Sequence, residues 1–222
     1  MNSDKLHMSE RYRTIIRDYL GSYNLAPPVL PETNTETAEK VKLLLLKTKK
    51  HSITFSLQGD NIKGNKRIYP ISHTIKIIEI LSKEFEIDFY LPGTNIFYAQ
   101  VEYTKNILPA LDIHNCCMKT SLADLKAVFE QTDLLIVDTG TIHIAATTKT
   151  NIIGLYGATI NNSLPVNHRS ILLYTHKSCS PCHYTRTVLN IPCPFGDKPK
   201  CMENITSEAV VIAAREVLTY KS

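Results

Sequence analysis

The stretch Asp133-Leu-Leu-Ile-Val-Asp-Thr-Gly-Thr-Ile-His-Ile-Ala-Ala-Thr147 decides the fold. Leu134 to Val137 are four apolar residues in a row, as a strand buried on both faces of a parallel sheet requires. Asp138 ends that strand, and Thr139 and Gly140 make a turn. A helix is expected from Gly140 to Thr148, with His143 in its first turns and Ala145 and Ala146 on a close-packed face. In such a sheet, ligands bind outside the carboxyl ends of the strands. Free N–H groups at a helix N-terminus suit an anion, and a glycine lets a phosphate come close to the backbone. On pattern alone, a plain strand–turn–helix with Asp138 as a turn residue is an equal reading, because a single-glycine turn is a weak signal.

Working outward, strands and helices alternate. Upstream, Ser52–Leu57 reads as a strand, Ser72–Phe85 as a helix, Ile87–Leu91 as a strand and Asn95–Leu111 as a helix. A short strand at Asp112–Cys117 and a helix at Ser121–Glu130 follow, the latter opened by a Ser121/Asp124 capping box. Downstream, Asn151–Tyr156 is a strand, 160–203 is loop-rich, and Thr206–Tyr220 is a closing helix with Thr206 as its N-cap. Before all of these lie a helix over 4–20, a connector rich in Pro, Asn and Thr, and a helix at Thr37–Thr48. The basic cluster Lys47, Lys49 and Lys50 suits the C-terminus of that last helix. The alternation implies βαβ units in a doubly wound, Rossmann-like parallel α/β sheet. Residues 1–50 form a helical N-terminal extension. Residues 51–222 form the domain, with a cysteine-bearing tail at 178–203 and the closing helix at 206–220.

The 222 residues are 43% hydrophobic and 21% charged, which is enough for one sizeable core. A net charge of +4 fits an anionic ligand or a membrane surface, and is weak support for either. No recognition-helix pattern, aromatic RNA-binding signature or long Lys/Arg run marks a nucleic-acid partner. No apolar run is long enough to cross a bilayer, and Met1–Ser9 lacks the apolar stretch of a signal peptide. The expected compartment is the cytoplasm, with a peripheral membrane location open. Six cysteines are present. Cys179-x-x-Cys182 can supply one edge of a tetrahedral zinc site, which Cys193 and Cys201 could complete. The second pair is not a tight CxxC, so unliganded or redox-labile thiols are the alternative.

Asp138-Thr-Gly-Thr-Ile-His143-Ile-Ala-Ala, then Asn151-Ile-Ile-Gly-Leu-Tyr-Gly-Ala-Thr159 and Pro165, resembles the signature of family 9 glycosyltransferases, the ADP-heptose:lipopolysaccharide heptosyltransferases. Lys119-Thr-Ser-Leu-Ala-Asp-Leu, Cys179-Ser-Pro-Cys182, Cys193-Pro and Cys201-Met-Glu-Asn-Ile-Thr206 match further blocks in the same order. The resemblance covers Ser52 to Leu218. It implies half of a GT-B enzyme, the C-terminal domain that binds the nucleotide-sugar donor. The family's other domain binds a lipid-linked acceptor and carries the catalytic base. No equivalent of that domain is recognised here, so no catalytic residue is assigned.

By the same resemblance, Thr139 and Gly140 hold the donor diphosphate and Asp138 accepts hydrogen bonds from the sugar. His143 lies near the diphosphate or orients the turn, although a structural histidine is nearly as good a reading. Lys66, in Asn65-Lys-Arg-Ile-Tyr-Pro70, resembles a Lys-Arg-Trp-Pro block and neutralises the leaving diphosphate. The altered spacing leaves Lys66 and Arg67 as alternatives for that role. Gln58 and Gly59 match a phosphate-side loop, Gly93 and Thr94 flank the adenosine, and Thr120 and Ser121 read the base edge. No acidic residue follows Asn95 until Glu102, so the ribose contact differs from that of other members. The implied reaction is inverting transfer of a heptose or related sugar from an ADP-sugar to a lipopolysaccharide core or similar glycan, with no cofactor required. The alternative is a donor-binding module that needs a partner chain for its acceptor domain.

Overall fold

A computed structural model describes residues 32–57, 68–157, 170–175, 177–180, 182, 193–196 and 198–219. The expected helix over 4–20 lies outside them. Helix α1 (Thr35–Leu45) is capped by the Asn34 side chain, which accepts the Thr37 N–H at 2.8 Å. It ends where Leu46 turns left-handed at φ 42°. The basic cluster therefore falls beyond the helix rather than in its last turn. Lys47 pairs with Asp133 and Lys49 with Asp112 instead. Buried Asp88 fixes this exit by accepting the N–H groups of Thr48 and Lys49 at 2.6 and 2.7 Å.

Strands β1 (His51–Ser56), β2 (Ile87–Leu91), β3 (Ile113–Asn115), β4 (Leu134–Val137), β5 (Asn151–Tyr156) and β6 (Ser170–Tyr174) form one parallel sheet in the order 3-2-1-4-5-6. The helices between them are α2 (Ile71–Ser82), α3 (Asn95–Ile107), α4 (Asp124–Glu130) and α5 (Ile142–Ala145). Helices α6 (Lys200–Glu203) and α7 (Ser207–Thr219) close the chain. The strand order reverses between β1 and β4, the switch point where such sheets bind ligands.

Each face of the sheet carries its own helix layer. On one, Ile53, Phe55, Phe89, Leu134 and Ile136 meet Ile77 and Leu81 of α2, Val101 of α3 and Val210 and Ala214 of α7. On the other, Tyr90, Leu135, Val137 and Ile152 meet Val41 and Leu45 of α1 and Val128 and Phe129 of α4. Each fully buried Leu, Ile, Val or Phe contributes about 1.5–3 kcal/mol, before the entropy of ordering it is subtracted. Helix α1, from the N-terminal extension, thus packs directly on this second face.

β1 departs from the all-apolar pattern of a parallel strand. Ser52, Thr54 and Ser56 alternate with Ile53 and Phe55 and form a buried polar column. Ser52 bonds to Asp133 at 2.9 Å, Thr54 shares a hydroxyl contact with Thr132 at 2.9 Å, and Ser56 reaches Thr141 at 2.9 Å. This column pins β1 to the segments flanking β4, across the switch point.

Two elements were not read from the sequence. β6 and α6 lie in the segment expected to be loop-rich. β6 is a half-buried edge strand, so its apolar run Ile171-Leu-Leu-Tyr174 carries no burial alternation to mark it. The expected helix over Gly140–Thr148 is a single turn, Ile142–Ala145, because the Thr147 and Thr148 hydroxyls bond back to the carbonyls of Ile144 and Ala145.

Candidate functional site

An open cleft of about 460 Å³ lies at the carboxyl ends of the central strands. Ser56 ends β1, and Pro92, Gly93 and Thr94 follow β2. Thr120, Ser121, Leu122 and Leu125 come from the β3–α4 connection and α4. Thr139, Gly140 and Thr141 form the turn after β4. Four strand ends on both sides of the switch point therefore meet in one concavity.

Hydroxyls dominate the lining. Among the described residues, Ser56, Thr94, Thr120, Ser121, Thr139 and Thr141 are six of the eleven that line it, and none of the eleven is charged. Hydroxyls both donate and accept, which suits sugar hydroxyls and phosphate oxygens alike. Three of them form a chain: Ser56 to Thr141 at 2.9 Å, and Thr141 to Thr139 at 2.7 Å. Leu122, 72% exposed, and Leu125 add an apolar wall on one side.

Gly140 faces open space, since a Cβ built on it meets no atom within 4 Å. The contrast with Gly157, after β5, is sharp: a Cβ there would lie 2.6 Å from Met202 Sδ and 2.8 Å from Cys201 Sγ. A side chain at Gly157 would force Met202 or Cys201 to shift, whereas Gly140 leaves room for a ligand.

The structure brings Thr120, Ser121, Thr139 and Gly140 into the cleft. Asp138 is buried at the end of β4, where its N–H meets the Ser56 carbonyl at 3.4 Å; its side chain is not among the lining residues. His143 is exposed on α5 and also does not line the cleft. Gln58, Gly59 and Lys66 lie outside the described residues. Because α5 is one turn long, and the N–H groups of Ile142 and His143 already bond to Thr139 and Gly140, no long helix aims its N-terminus at this turn. Among the described lining residues, hydroxyls and turn amides are the groups an anion would meet.

Ser121 also serves as the helix cap. Its Oγ accepts the Asp124 N–H at 3.2 Å, and Asp124 accepts the Ser121 N–H at 2.8 Å. Asp124 is held below the usual carboxylate range, first by its bond to Lys40 and then by Ser121. Glu102 accepts a hydrogen bond from the Asn115 amide at 2.7 Å and is not among the residues lining the cleft. At the start of the β3–α4 connection, burial pushes the thiols of Cys116 and Cys117 up to about 11, which disfavours the reactive thiolate at neutral pH. Ser56 and Thr141 carry no motif that marks them as site residues in the sequence; the strand order 3-2-1-4 points to both.

Among the described residues, no group of three or more His, Cys, Asp or Glu side chains is arranged to hold a metal ion. Nor is any helix among them long and apolar enough to cross a membrane.

The family model of glycosyltransferase family 9 (heptosyltransferase) matches residues 2–191. The chain belongs to this family. The family 9 match begins well before Ser52, so it takes in the N-terminal extension as well as the sheet. No curated protein matches the chain. Several solved structures share the fold. The ADP-heptose lipopolysaccharide heptosyltransferase II of E. coli is 18% identical with a TM-score of 0.68, over 90% of this chain and 56% of that one. The family 9 glycosyl transferase of Veillonella parvula is 16% identical with a TM-score of 0.73, over 99% and 62%. The E. coli heptosyltransferase WaaC with ADP-2-deoxy-2-fluoro heptose is 17% identical with a TM-score of 0.59, over 96% and 56%. This family 9 chain thus spans between 56% and 62% of the length of these enzymes. Its Rossmann-like sheet is that of one half of a GT-B glycosyltransferase.

Proposed function

We propose that this chain binds an ADP-sugar in the hydroxyl-lined cleft and takes part in inverting transfer of a heptose, or a related sugar, to a lipopolysaccharide core or similar glycan. One observation carries the reading. In a family 9 chain, the β3–α4 and β4–α5 connections converge on one open cleft at the switch point, with Gly140 facing its space. The solved WaaC with a fluorinated ADP-heptose belongs to the same fold and supports a nucleotide-sugar as the ligand.

In this account Thr139, Thr141 and the Gly140 turn hold the diphosphate, and Thr120 and Ser121 face the nucleoside. Asp138 orients the sugar from the end of β4, and His143 steadies the turn. Lys66 neutralises charge as the diphosphate leaves, with Gln58 and Gly59 beside it. A cation suits this role, since hydroxyls alone do not offset a developing diphosphate. Residues 51–222 act as the donor domain, and the extension supports it through α1. The reaction runs at the cytoplasmic face of a membrane, without a cofactor. The base that deprotonates the acceptor is assigned to no residue of this chain.

A second reading, donor binding with a partner chain supplying the acceptor site, is kept by the share of the neighbours covered. A transfer assay with ADP-heptose and a core-oligosaccharide acceptor separates the two. Product of inverted anomeric configuration from the chain alone supports the first. Donor binding without product supports the second. No binding of ADP-heptose, ADP or UDP-sugars contradicts both. An Asp138→Ala variant that binds and turns over like the parent contradicts its assigned role.

A further inference from the structure

The tail after β6 does not gather a metal. Cys179, Cys182, Cys193 and Cys201 all lie among the described residues, and no three of them are arranged around an ion. Cys201 instead packs, with Met202, against Gly157 at the end of β5. The turn between α6 and α7 comes next. Thr206 opens α7, its carbonyl and hydroxyl accepting the N–H groups of Val210 and Ala209. The Ile205 carbonyl, one residue earlier, stands outside that ladder. Two rings, from the approach to α2 and from its first turn, meet it there. The Tyr69 hydroxyl donates to it at 2.9 Å, and His73 Nδ1 lies 3.3 Å away. A carbonyl only accepts, so the proton on His73 sits on Nδ1. The two rings pack edge to face with centroids 5.4 Å apart. Tyr69 is buried in the core, and burial pushes its hydroxyl well above its ordinary range, so it stays a donor at neutral pH.

This contact spans the strand that carries the cleft turn. β1 and β5 flank β4 in the sheet. Tyr69 closes the connection that leaves β1 at Ser56, a cleft residue. Ile205 follows α6, which backs the end of β5. Further contacts join α2 to α7 start to start and end to end. The Ser207 hydroxyl donates to the His73 carbonyl at 3.4 Å, Lys76 pairs with Glu208, and Arg215 Nε donates to Glu84 at 2.7 Å. The two helices are thus one parallel unit, and Tyr69 is the contact nearest the β1–α2 connection.

We infer that Tyr69 is a positioning residue for the phosphate end of the donor cleft, fixing the β1–α2 connection through the Ile205 carbonyl. This role rests on the donor-cleft reading, in which Lys66, three residues before Tyr69 in the sequence, offsets the diphosphate. A lysine is a point charge on a flexible stem, so what it delivers to a phosphate depends on where its backbone is held. Tying one end of a connection also lowers the entropy cost of ordering its cation on a ligand. Phenylalanine would fill the same space, and the hydroxyl adds only the bond to Ile205.

The test compares ADP with adenosine on the full chain, because only ADP carries the diphosphate. Tyr69→Phe is expected to weaken ADP binding about 3-fold or more and to leave adenosine affinity unchanged, both read by NMR titration. A merely structural role would weaken the two alike. With Lys66→Met already in place, Tyr69→Phe is expected to add nothing. Lys76→Met, which breaks the neighbouring ion pair without touching Ile205, is expected to bind ADP like the parent. Should Tyr69→Phe not fold, His73→Phe removes the other contact on the same carbonyl and is expected to show the same selective loss. Parent-like ADP affinity in the variant overturns the inference. So does an equal loss for adenosine, a loss that persists undiminished beside Lys66→Met, or one that Lys76→Met reproduces. Lys66→Met with parent-like ADP affinity, or no ADP binding by the parent, fails the donor-cleft reading itself and takes the role of Tyr69 with it.

Discussion

The Thr141 hydroxyl lies 2.9 Å from that of Ser56, joining the turn after β4 to the end of β1 across the switch point of the sheet. Thr141 also reaches Thr139 at 2.7 Å, so one side chain organises the floor of the cleft. Thr141→Val keeps the shape and removes the shared hydroxyl. Losing a neutral hydrogen bond costs about 0.5–1.5 kcal/mol, so ADP-sugar affinity should weaken about 2- to 13-fold. Calorimetric titration of the variant checks this, and a loss of unfolding free energy no larger than the lost hydrogen bonds supply shows that the effect is local to the cleft.

Gly157 predicts the opposite balance. A methyl group there would overlap Met202 Sδ and Cys201 Sγ at 2.6 and 2.8 Å. Gly157→Ala should cost about 1–3 kcal/mol by overpacking. Denaturant unfolding of the parent and the variant measures it.

Asp88 ties α1 to the sheet through the N–H groups of Thr48 and Lys49 and the Thr48 hydroxyl, the last at 3.1 Å. Its side chain is fully buried. Asp88→Ala strands those donors, and hydrogen bonds to a charged acceptor contribute about 1.5–3 kcal/mol each. A loss of about 3 kcal/mol or more in unfolding free energy is expected, with α1 the first element to lose amide-exchange protection.

Asp124 sets an acid limit. Its carboxyl is held below its ordinary value, first by the bond to Lys40 and then by Ser121. A carboxyl depressed in the folded state stabilises the protein above its unfolded pKa of about 4. That contribution disappears as pH falls through the lower folded value. The stability gap between the parent and Asp124→Asn should therefore be widest near neutral pH and close below about pH 4. Urea unfolding at a series of pH values reads the gap. A gap that widens in acid contradicts the assignment.

Much of the fold was legible because burial is periodic. Leu134–Val137 is a continuous apolar run, Ile87–Leu91 is one broken only by Asp88, and Asn151–Tyr156 is mostly apolar; each is stopped by turn residues and is a strand over that full span. Helix ends were less legible. Lys47, Lys49 and Lys50 look like a helix C-terminus, but Asp88, Asp133 and Asp112 claim that segment from elsewhere in the chain. The turn Thr139–Gly140 was visible in its motif, and so were Thr120 and Ser121. Ser56 was not, because on sequence it is one more residue of β1. Only its pairing with β4, 85 residues away from it at Thr141, places its hydroxyl in the cleft. β6 lacked both alternation and full burial, so an edge strand passed as loop.

The central claim is that the space before Gly140 receives the donor diphosphate. Calorimetric titration with ADP-heptose, comparing the parent with Gly140→Val, tests it most directly. A Cβ at position 140 meets no protein atom within 4 Å, so the substitution starts in open space. The account predicts donor binding by the parent, binding at least about tenfold weaker in the variant, equivalent to about 1.4 kcal/mol, and matching melting temperatures. Equal affinity in the two proteins would contradict it.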